Sequence, residues 1–320
     1  MTARLAGGAL MALGAALALS AMALTSTLGA TGGAERGQKS QARISPADTG
    51  GQKVQEHAAE PAPEPAYRAH FGHADLYIPT FFHAANGTYD VIVHFHGMHD
   101  AQDTNIERAK VNAVVVSINL GMGSGPYEDA FRDPSALTRI LNAVDRHVDK
   151  SGRAPGARTG RVALSAWSAG YGAVSALLRD PATVKRIDAV LLADGLHSGY
   201  ADDKKHVVNE APLAKYAKIA EAAFKGDKLF VLTHSSIPTY GYPSSTETIG
   251  TLLKITSTPK TVNATVGPRN MRQIYESHRG DFHVRGFEGT GVKDHIDHIW
   301  GMNETMLPLL RARWSGVVTP

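Results

Sequence analysis

Residues 161–173, RVALSAWSAGYGA, decide the fold of this chain. The first half is apolar, as in a buried strand, and the second half is rich in small residues that suit a helix. Ser168 therefore lies at a sharp turn from a strand into a helix, a context typical of a serine nucleophile. The usual pattern there is Gly-x-Ser-x-Gly; here Ala166 replaces the first glycine and Gly170 supplies the second.

Apolar runs alternate with helical patterns on both sides of this turn. The predicted strands are 74–78, 90–95, 113–119, 161–166, 187–193, 228–233 and 281–287, and the predicted helices are 134–148, 169–179, 246–255 and 295–313. This alternation indicates an α/β fold, a mostly parallel sheet with helices on both faces. Ligands bind such sheets at the carboxyl ends of the strands, so a polar residue directly after a strand is a candidate for a site.

The composition excludes several classes of function. The chain has 320 residues and no cysteine, which excludes a disulfide scaffold, a thiolate zinc site and a cysteine nucleophile. Its 33 Lys and Arg residues nearly balance 30 Asp and Glu residues, and no basic stripe stands out. We therefore expect no nucleic-acid partner.

The first 66 residues differ in composition from the rest of the chain. Residues 1–30 have the layout of a secretory signal peptide, with Arg4 before an apolar run that ends at about Leu24, followed by small residues. A retained membrane anchor is the alternative, since the run is nearly long enough to span a bilayer. Residues 31–66 are rich in Gly, Ala, Pro and charge, as in a disordered linker. We therefore expect an exported protein, periplasmic or extracellular, whose catalytic domain spans 67–320 and has no membrane contact once the signal peptide is removed.

Asp194 and His295 are the predicted partners of Ser168. A serine nucleophile needs a histidine to take its proton and a carboxylate to orient that histidine. Asp194 comes directly after the predicted strand that follows the serine helix. His295 follows a glycine-containing loop at the start of the last helix, where Asp294 is the expected N-cap. His298, one turn further along, is the alternative base.

A His-Gly pair, His96-Gly97, ends the predicted strand 90–95. The glycine lets the backbone turn, so that the N–H of Met98 points toward the site. The N–H of Ala169, just after the serine, is the second donor expected to stabilise an oxyanion.

The same segment also resembles the metallo-β-lactamase zinc signature His-x-His-x-Asp-His, through His94, His96 and His99. Met98 stands where that signature has Asp, which removes the carboxylate that a second metal needs. The preferred interpretation is that His94 and His96 hold the loop by hydrogen bonds, with no metal and no cofactor.

Taken together, these motifs resemble the α/β-hydrolase superfamily over about residues 70–311. The resemblance rests on the His-Gly pair, the serine turn, Asp194 and His295, in that order along the chain. It implies an α/β-hydrolase fold of three layers, with an eight-stranded or slightly shortened sheet, and acyl-enzyme chemistry carried by Ser168, His295 and Asp194. The chain departs from the usual pattern of this superfamily in two ways. Ala166 replaces the first glycine of the serine motif, and Asp194 follows the strand before the one that carries the acid in most members.

The sequence therefore predicts an exported serine hydrolase that cleaves a carboxylic ester, either a small molecule or a polymer. A serine peptidase and a polyester depolymerase are alternatives on the same fold. A non-catalytic exported binding protein and a zinc hydrolase are alternatives of other classes. Residues 237–243 follow a strand end, and they are expected to wall the substrate pocket.

Overall fold

The computed structural model describes residues 65–316. The predicted signal peptide, 1–30, and all but the last two residues of the predicted linker, 31–66, lie outside the described residues. Among the helices that are described, none combines the length and the apolar character that crossing a bilayer requires.

Twelve strands occur within residues 65–316, ten in one sheet and two in a hairpin. They are β1 Tyr67–Phe71, β2 Ala74–Ile78, β3 Thr88–Phe95, β4 Ala113–Ile118, β5 Arg158–Trp167, β6 Ala189–Ala193, β7 Tyr200–Asp202, β8 Val207–Val208, β9 Leu229–His234, β10 Thr261–Val266, β11 Arg272–Arg279 and β12 Phe282–Phe287. The sheet has the order β1-β2-β4-β3-β5-β6-β9-β12-β11-β10, and β7 pairs with β8. The six strands from β4 to β12 in this order are parallel, whereas β1, β2, β11 and β10 pair antiparallel.

Ten α-helices occur in the same part of the chain. They are α1 His99–Ala109, α2 Gly125–Ala130, α3 Ala136–Ser151, α4 Tyr171–Leu177, α5 Pro181–Arg186, α6 Ala214–Phe224, α7 Ser245–Ile255, α8 Val292–Trp300, α9 Met302–Thr305 and α10 Leu307–Ser315. A 3-10 turn, Ser168–Gly170, precedes α4.

Two hydrophobic cores lie on the two faces of the sheet. Successive side chains of a strand point to opposite faces, and along β3 Val91 and Val93 belong to one core while Ile92 belongs to the other. Helices α3, α4, α6 and α7 supply apolar side chains to the first core. Helices α1, α9 and α10 supply them to the second. The predicted fold class, an α/β-hydrolase fold of three layers, is thereby confirmed.

The sheet is wider than expected. All seven predicted strands are present, but β1 extends one edge, and β10 and β11 extend the other, so the sheet has ten strands instead of eight. The segment 295–313, predicted as one helix, falls in three helices, because the backbone leaves the helical region at Gly301 (φ −92°, ψ 3°) and again at Met306 (φ −125°, ψ −47°). Pro308 then lies in the first turn of α10, where its missing N–H costs no hydrogen bond, so it does not kink a continuous helix.

Candidate active site

Ser168 occupies a strained turn directly after β5. Its φ is 50°, in the left-handed region that non-glycine residues rarely adopt. The turn packs against neighbouring backbone on two sides. A β-carbon at Gly170 would lie 2.0 Å from the carbonyl oxygen of Phe95, and one at Gly195 would lie 2.3 Å from the carbonyl oxygen of Ser168. The serine is thus held in a fixed orientation, half-buried, at the carboxyl edge of the sheet.

His295 contacts both predicted partners. Its Nε2 lies 2.8 Å from Oγ of Ser168, and its Nδ1 lies 2.7 Å from Oδ2 of Asp194. A carboxylate only accepts hydrogen bonds, so Nδ1 carries the proton and donates to Asp194. Nε2 is then free to accept the hydroxyl proton of Ser168. Because β5 and β6 are adjacent and parallel, the residues after them meet at one edge of the sheet.

Asp194 is buried and accepts two further hydrogen bonds. Both come from Ser235, from the backbone N–H at 2.8 Å and from the hydroxyl at 3.0 Å. Burial alone would raise the pKa of the Asp194 carboxyl. The charges of His298 and His295 and the hydrogen bonds from His295 and Ser235 outweigh burial and hold this pKa well below its usual range. The carboxylate therefore stays ionised and can hold the imidazole and balance a positive charge on it.

Sequence reasoning missed Ser235. The residue follows β9 directly, at the same edge of the sheet, so its position after a strand was the available signal. Because serine carries no carboxylate, a search for the acid of the site does not select it. Its contribution depends on β6 pairing with β9, which brings residue 235 against the residue after β6.

Helix α8 starts earlier than predicted. Its N-cap is Gly291, so the expectation that Asp294 caps the helix was wrong. Asp294 lies in the first turn, and its carboxylate accepts the backbone N–H of Gly291 at 2.9 Å. It can fold back in this way because residue 289 is a glycine, since a β-carbon there would lie 2.4 Å from Cγ of Asp294. His295 thereby lies at the end of the first turn.

His298, the alternative base, makes no hydrogen bond to the serine. It is buried, and its Nδ1 lies 2.8 Å from Oγ1 of Thr233 on β9. Burial lowers its pKa, and the Asp194 carboxylate only partly opposes this effect. Of the two histidines, His295 alone hydrogen-bonds to both Ser168 and Asp194.

The His-Gly pair makes a tight loop between β3 and α1. His96 has a φ of 70° and Gly97 a φ of 102°. A β-carbon at Gly97 would lie 2.5 Å from Cδ1 of Ile299 and 3.0 Å from the Trp167 ring, so a larger residue does not fit. Met98 follows as the N-cap of α1, and its N–H finds no acceptor among residues 65–316. Ala169 is the second residue of the 3-10 turn, where N–H groups also lack an acceptor within the helix.

His94 and His96 hold this loop through hydrogen bonds. His94 Nε2 donates to the carbonyl oxygen of His96 at 2.9 Å, and Nδ1 lies 2.9 Å from Oγ of Ser165. His96 Nδ1 lies 2.8 Å from the hydroxyl of Tyr127. Burial lowers the pKa of His94 to about 3 and that of His96 to about 4, so both rings are neutral at pH 7.

The structure does not bring His94, His96 and His99 together as metal ligands. The nitrogen of His94 that donates to a carbonyl has no lone pair for zinc. Among the described residues, the one cluster with metal-ligand spacing is His99 with Asp100 and Asp103 on α1. Asp103 is already bound by the guanidinium of Arg68. The zinc alternative therefore lacks its predicted ligand set.

Residues 237–243 lie beside the candidate site. The ring of Tyr242 packs edge-on against His197, with 5.3 Å between the centroids, and Nδ1 of His197 lies 3.1 Å from the carbonyl oxygen of Pro243. Tyr240, nearby, is 91% exposed. The segment thus presents one packed and one free aromatic side chain at this edge of the molecule.

Comparison with known proteins gives distant structural likenesses only. No family model matches the chain, and no curated protein matches it in sequence. An acetyl xylan esterase from Aspergillus awamori has 15% identity and a TM-score of 0.39, over 71% of this chain and 93% of that one. A poly(3-hydroxybutyrate) depolymerase from Bordetella parapertussis has 12% identity and a TM-score of 0.39, over 77% and 86%. Esterase B from Lactobacillus rhamnosis has 13% identity and a TM-score of 0.39, over 81% and 89%. Likenesses this low say nothing about what the chain acts on.

Proposed function

We propose that the protein is an exported serine hydrolase that cleaves a carboxylic ester. The observation that carries the proposal is the hydrogen-bonded series from Ser168 Oγ through the His295 ring to the Asp194 carboxylate. A hydroxyl, an imidazole and a carboxylate in this order are the parts of a nucleophilic triad. The chemistry needs neither a metal nor a cofactor.

In the first half of the reaction, Ser168 Oγ attacks the ester carbonyl carbon while its proton passes to Nε2 of His295. The carbonyl π electrons move to oxygen, and the N–H groups of Met98 and Ala169 stabilise that negative charge. One such donor contributes roughly 3 kcal/mol to transition-state stabilisation in known enzymes. The tetrahedral centre then collapses, the bond to the alcohol oxygen breaks, and the imidazolium gives its proton to the leaving alcohol.

In the second half, water replaces the alcohol. His295 Nε2 takes a proton from the water as its oxygen attacks the acyl carbon. The bond to Ser168 Oγ breaks, and the imidazolium returns its proton to that oxygen. Asp194 keeps the ring in the required tautomer throughout and balances the charge of the imidazolium.

Replacement of Ser168 tests this proposal. Ser168→Ala should abolish turnover of a p-nitrophenyl acyl ester and labelling by a fluorophosphonate probe, with an unchanged circular dichroism spectrum. The matched control is Ser135→Ala, since Ser135 is remote and hydrogen-bonds to Asp133. Turnover that survives in Ser168→Ala would refute the nucleophile. A wild-type protein that binds esters without turnover or labelling would favour the non-catalytic binding protein.

A polyester depolymerase is the second candidate, and the exposed apolar side chains favour it. Of nine exposed large apolar side chains within residues 65–316, five follow the carboxyl ends of β3, β4, β9 and β12. These five are Met98, Met122, Tyr240, Tyr242 and Val292. Apolar groups concentrated around a site suit contact with an apolar surface, such as that of a solid polyester.

Adsorption separates this candidate from an esterase for small molecules. The inactive Ser168→Ala protein should bind a polycaprolactone film, and a double substitution to Ser at Met122 and Tyr240 should reduce binding. The control carries the same change at Val262 and Val266, which are exposed on the edge strand β10. Equal adsorption by the two double variants would remove the support for a polymer substrate.

Export is the remaining part of the proposal, and the sequence of residues 1–30 supports it. Expression of the full chain in a bacterium, followed by mass spectrometry of the fractions, tests it. A protein that starts near residue 31, outside the inner membrane, is the expected result. A protein that keeps residues 1–30 in the membrane fraction would favour an anchor.

A further inference from the structure

Trp167, directly before the serine, contacts the candidate base in two ways. Its indole Nε1–H donates to the backbone carbonyl oxygen of His295 at 2.9 Å. Its ring lies against the imidazole of His295, with 4.5 Å between the centroids and 31° between the planes. A cation within about 6 Å of an indole centroid is attracted by the negative face of the ring, and tryptophan is the most effective aromatic residue in this role.

The same indole also stacks on a second imidazole. The ring of His96 lies 5.3 Å from that of Trp167, at an angle of 11°. Burial, together with the charge of His295, lowers the pKa of His96 to about 4. His96 is therefore neutral at pH 7 and does not oppose a positive charge on His295.

Three titratable side chains near His295 also affect a positive charge on its ring. Asp194 accepts a hydrogen bond from Nδ1–H of His295 and favours the imidazolium. His298 and His197 are buried, and burial lowers the pKa of each, which disfavours a positive charge on either ring. The indole face is thus an uncharged group placed to favour the imidazolium from outside the hydrogen-bonded series.

We propose that Trp167 is a positioning residue that stabilises the imidazolium of His295 during catalysis, through the face of its ring. The inference rests on the proposed function. When Ser168 attacks, its proton passes to Nε2, and the ring that faces the indole becomes a cation. This interaction is stronger once the ring has taken the proton of Ser168 than before the attack, when Nε2 must be free to accept that proton. It therefore raises kcat and leaves KM nearly unchanged.

Fluorinated tryptophans test the interaction between the indole face and the imidazolium with little change in the size of the side chain. Site-specific incorporation of mono-, di-, tri- and tetrafluorotryptophan at position 167 withdraws charge stepwise from the ring face but keeps the indole N–H. We expect kcat for a p-nitrophenyl ester to fall with each fluorine, by roughly tenfold over the series, with KM constant within about twofold. A residue that only fills space would give a flat series.

Trp314 provides the matched control. Its ring lies near Arg161 and its N–H donates to Asp188, with neither group belonging to the site. Fluorination there should leave kcat unchanged. A flat series at 167, with normal turnover by the unmodified protein, would overturn this inference alone. Absence of turnover and of fluorophosphonate labelling in the unmodified protein would overturn the proposed function, and this inference with it.

Discussion

Ser235 donates two hydrogen bonds to the same oxygen of Asp194, one from its backbone N–H and one from its hydroxyl. The other carboxylate oxygen accepts from His295. The Asp194 carboxylate is therefore held by three donors from two residues. This arrangement places Ser235 to orient the candidate base, His295, through Asp194.

Ser235→Ala should lower both stability and activity modestly. The variant loses the hydroxyl donor but keeps the backbone donor. Hydrogen bonds to charged groups contribute about 2 kcal/mol, and Asp194 is buried, so solvent does not readily replace the lost partner. We expect a loss of about 2 kcal/mol in the free energy of unfolding, measured in urea, and a kcat reduced by roughly tenfold.

The control is Ser236→Ala, which removes a hydrogen bond to the uncharged carbonyl oxygen of Phe287. Its kcat should stay within about twofold of wild type, since a neutral bond contributes only about 1 kcal/mol and does not touch Asp194. If Ser235→Ala and Ser236→Ala lose the same activity, the orienting role of Ser235 is wrong.

Asp194→Asn should reduce kcat by about four orders of magnitude, as in known triads. The amide nitrogen would donate where the carboxylate accepted, so His295 would carry its proton on Nε2 and could not accept one from Ser168. Steady-state turnover and the rate of fluorophosphonate labelling should fall together. The control is Asp297→Asn on the same helix, because that carboxylate binds Arg269 and Lys293 instead. Similar losses in both variants would contradict the role of Asp194.

Buried histidines make stability depend on pH in a defined window. Burial lowers the pKa of His234 to about 4, and His234 lies entirely inside the protein. The unfolded chain takes up a proton near pH 6.5, whereas the folded chain does so only near pH 4. The unfolded state thus binds more protons between these values, and stability falls as the pH drops through this window, by roughly 1 kcal/mol per pH unit.

His234→Gln isolates this contribution. Urea unfolding at pH 7, 6, 5 and 4.5 should show a shallower decline for the variant, even though the variant is less stable at pH 7 after losing the contact with Tyr275. Glutamine does not titrate, but its polar side chain fills much of the space that the imidazole of His234 occupies. An identical slope for the two proteins would show that His234 does not titrate in this window.

The sequence predicts those site residues that lie directly after a strand or open a helix. Ser168 and Asp194 could be named because the apolar runs before them mark where β5 and β6 end. The strands at the sheet edges were harder. Five of the six residues of β10 are exposed, so no burial pattern marks it in the sequence.

Contacts across elements could not be predicted in this way. Trp167 precedes the serine in every interpretation of the motif, but its hydrogen bond to residue 295 joins positions 128 apart in the chain. Whether the indole reaches His295 depends on where α8 starts and on how the helix packs over β5. The predicted start of α8 was also wrong. The side chain of Asp294 folds back onto the backbone only because Gly289 adopts a φ of 121°, and the sequence does not show that conformation.

Gly170→Ala should destabilise the fold, although helix propensity alone predicts that alanine stabilises this position. The backbone of Gly170 is helical (φ −60°, ψ −18°), where alanine is normally favoured over glycine. The added β-carbon would, however, lie 2.0 Å from the carbonyl oxygen of Phe95 and 2.6 Å from its carbon, and backbone at the end of β3 cannot move aside freely. We expect a loss of about 3 kcal/mol in the free energy of unfolding. The matched control is Gly199→Ala, which has no atom within 4 Å of its β-carbon and should change stability by less than about 1 kcal/mol. A Gly170→Ala protein as stable as the control would mean that the serine turn and β3 are not in the close contact on which the candidate site depends.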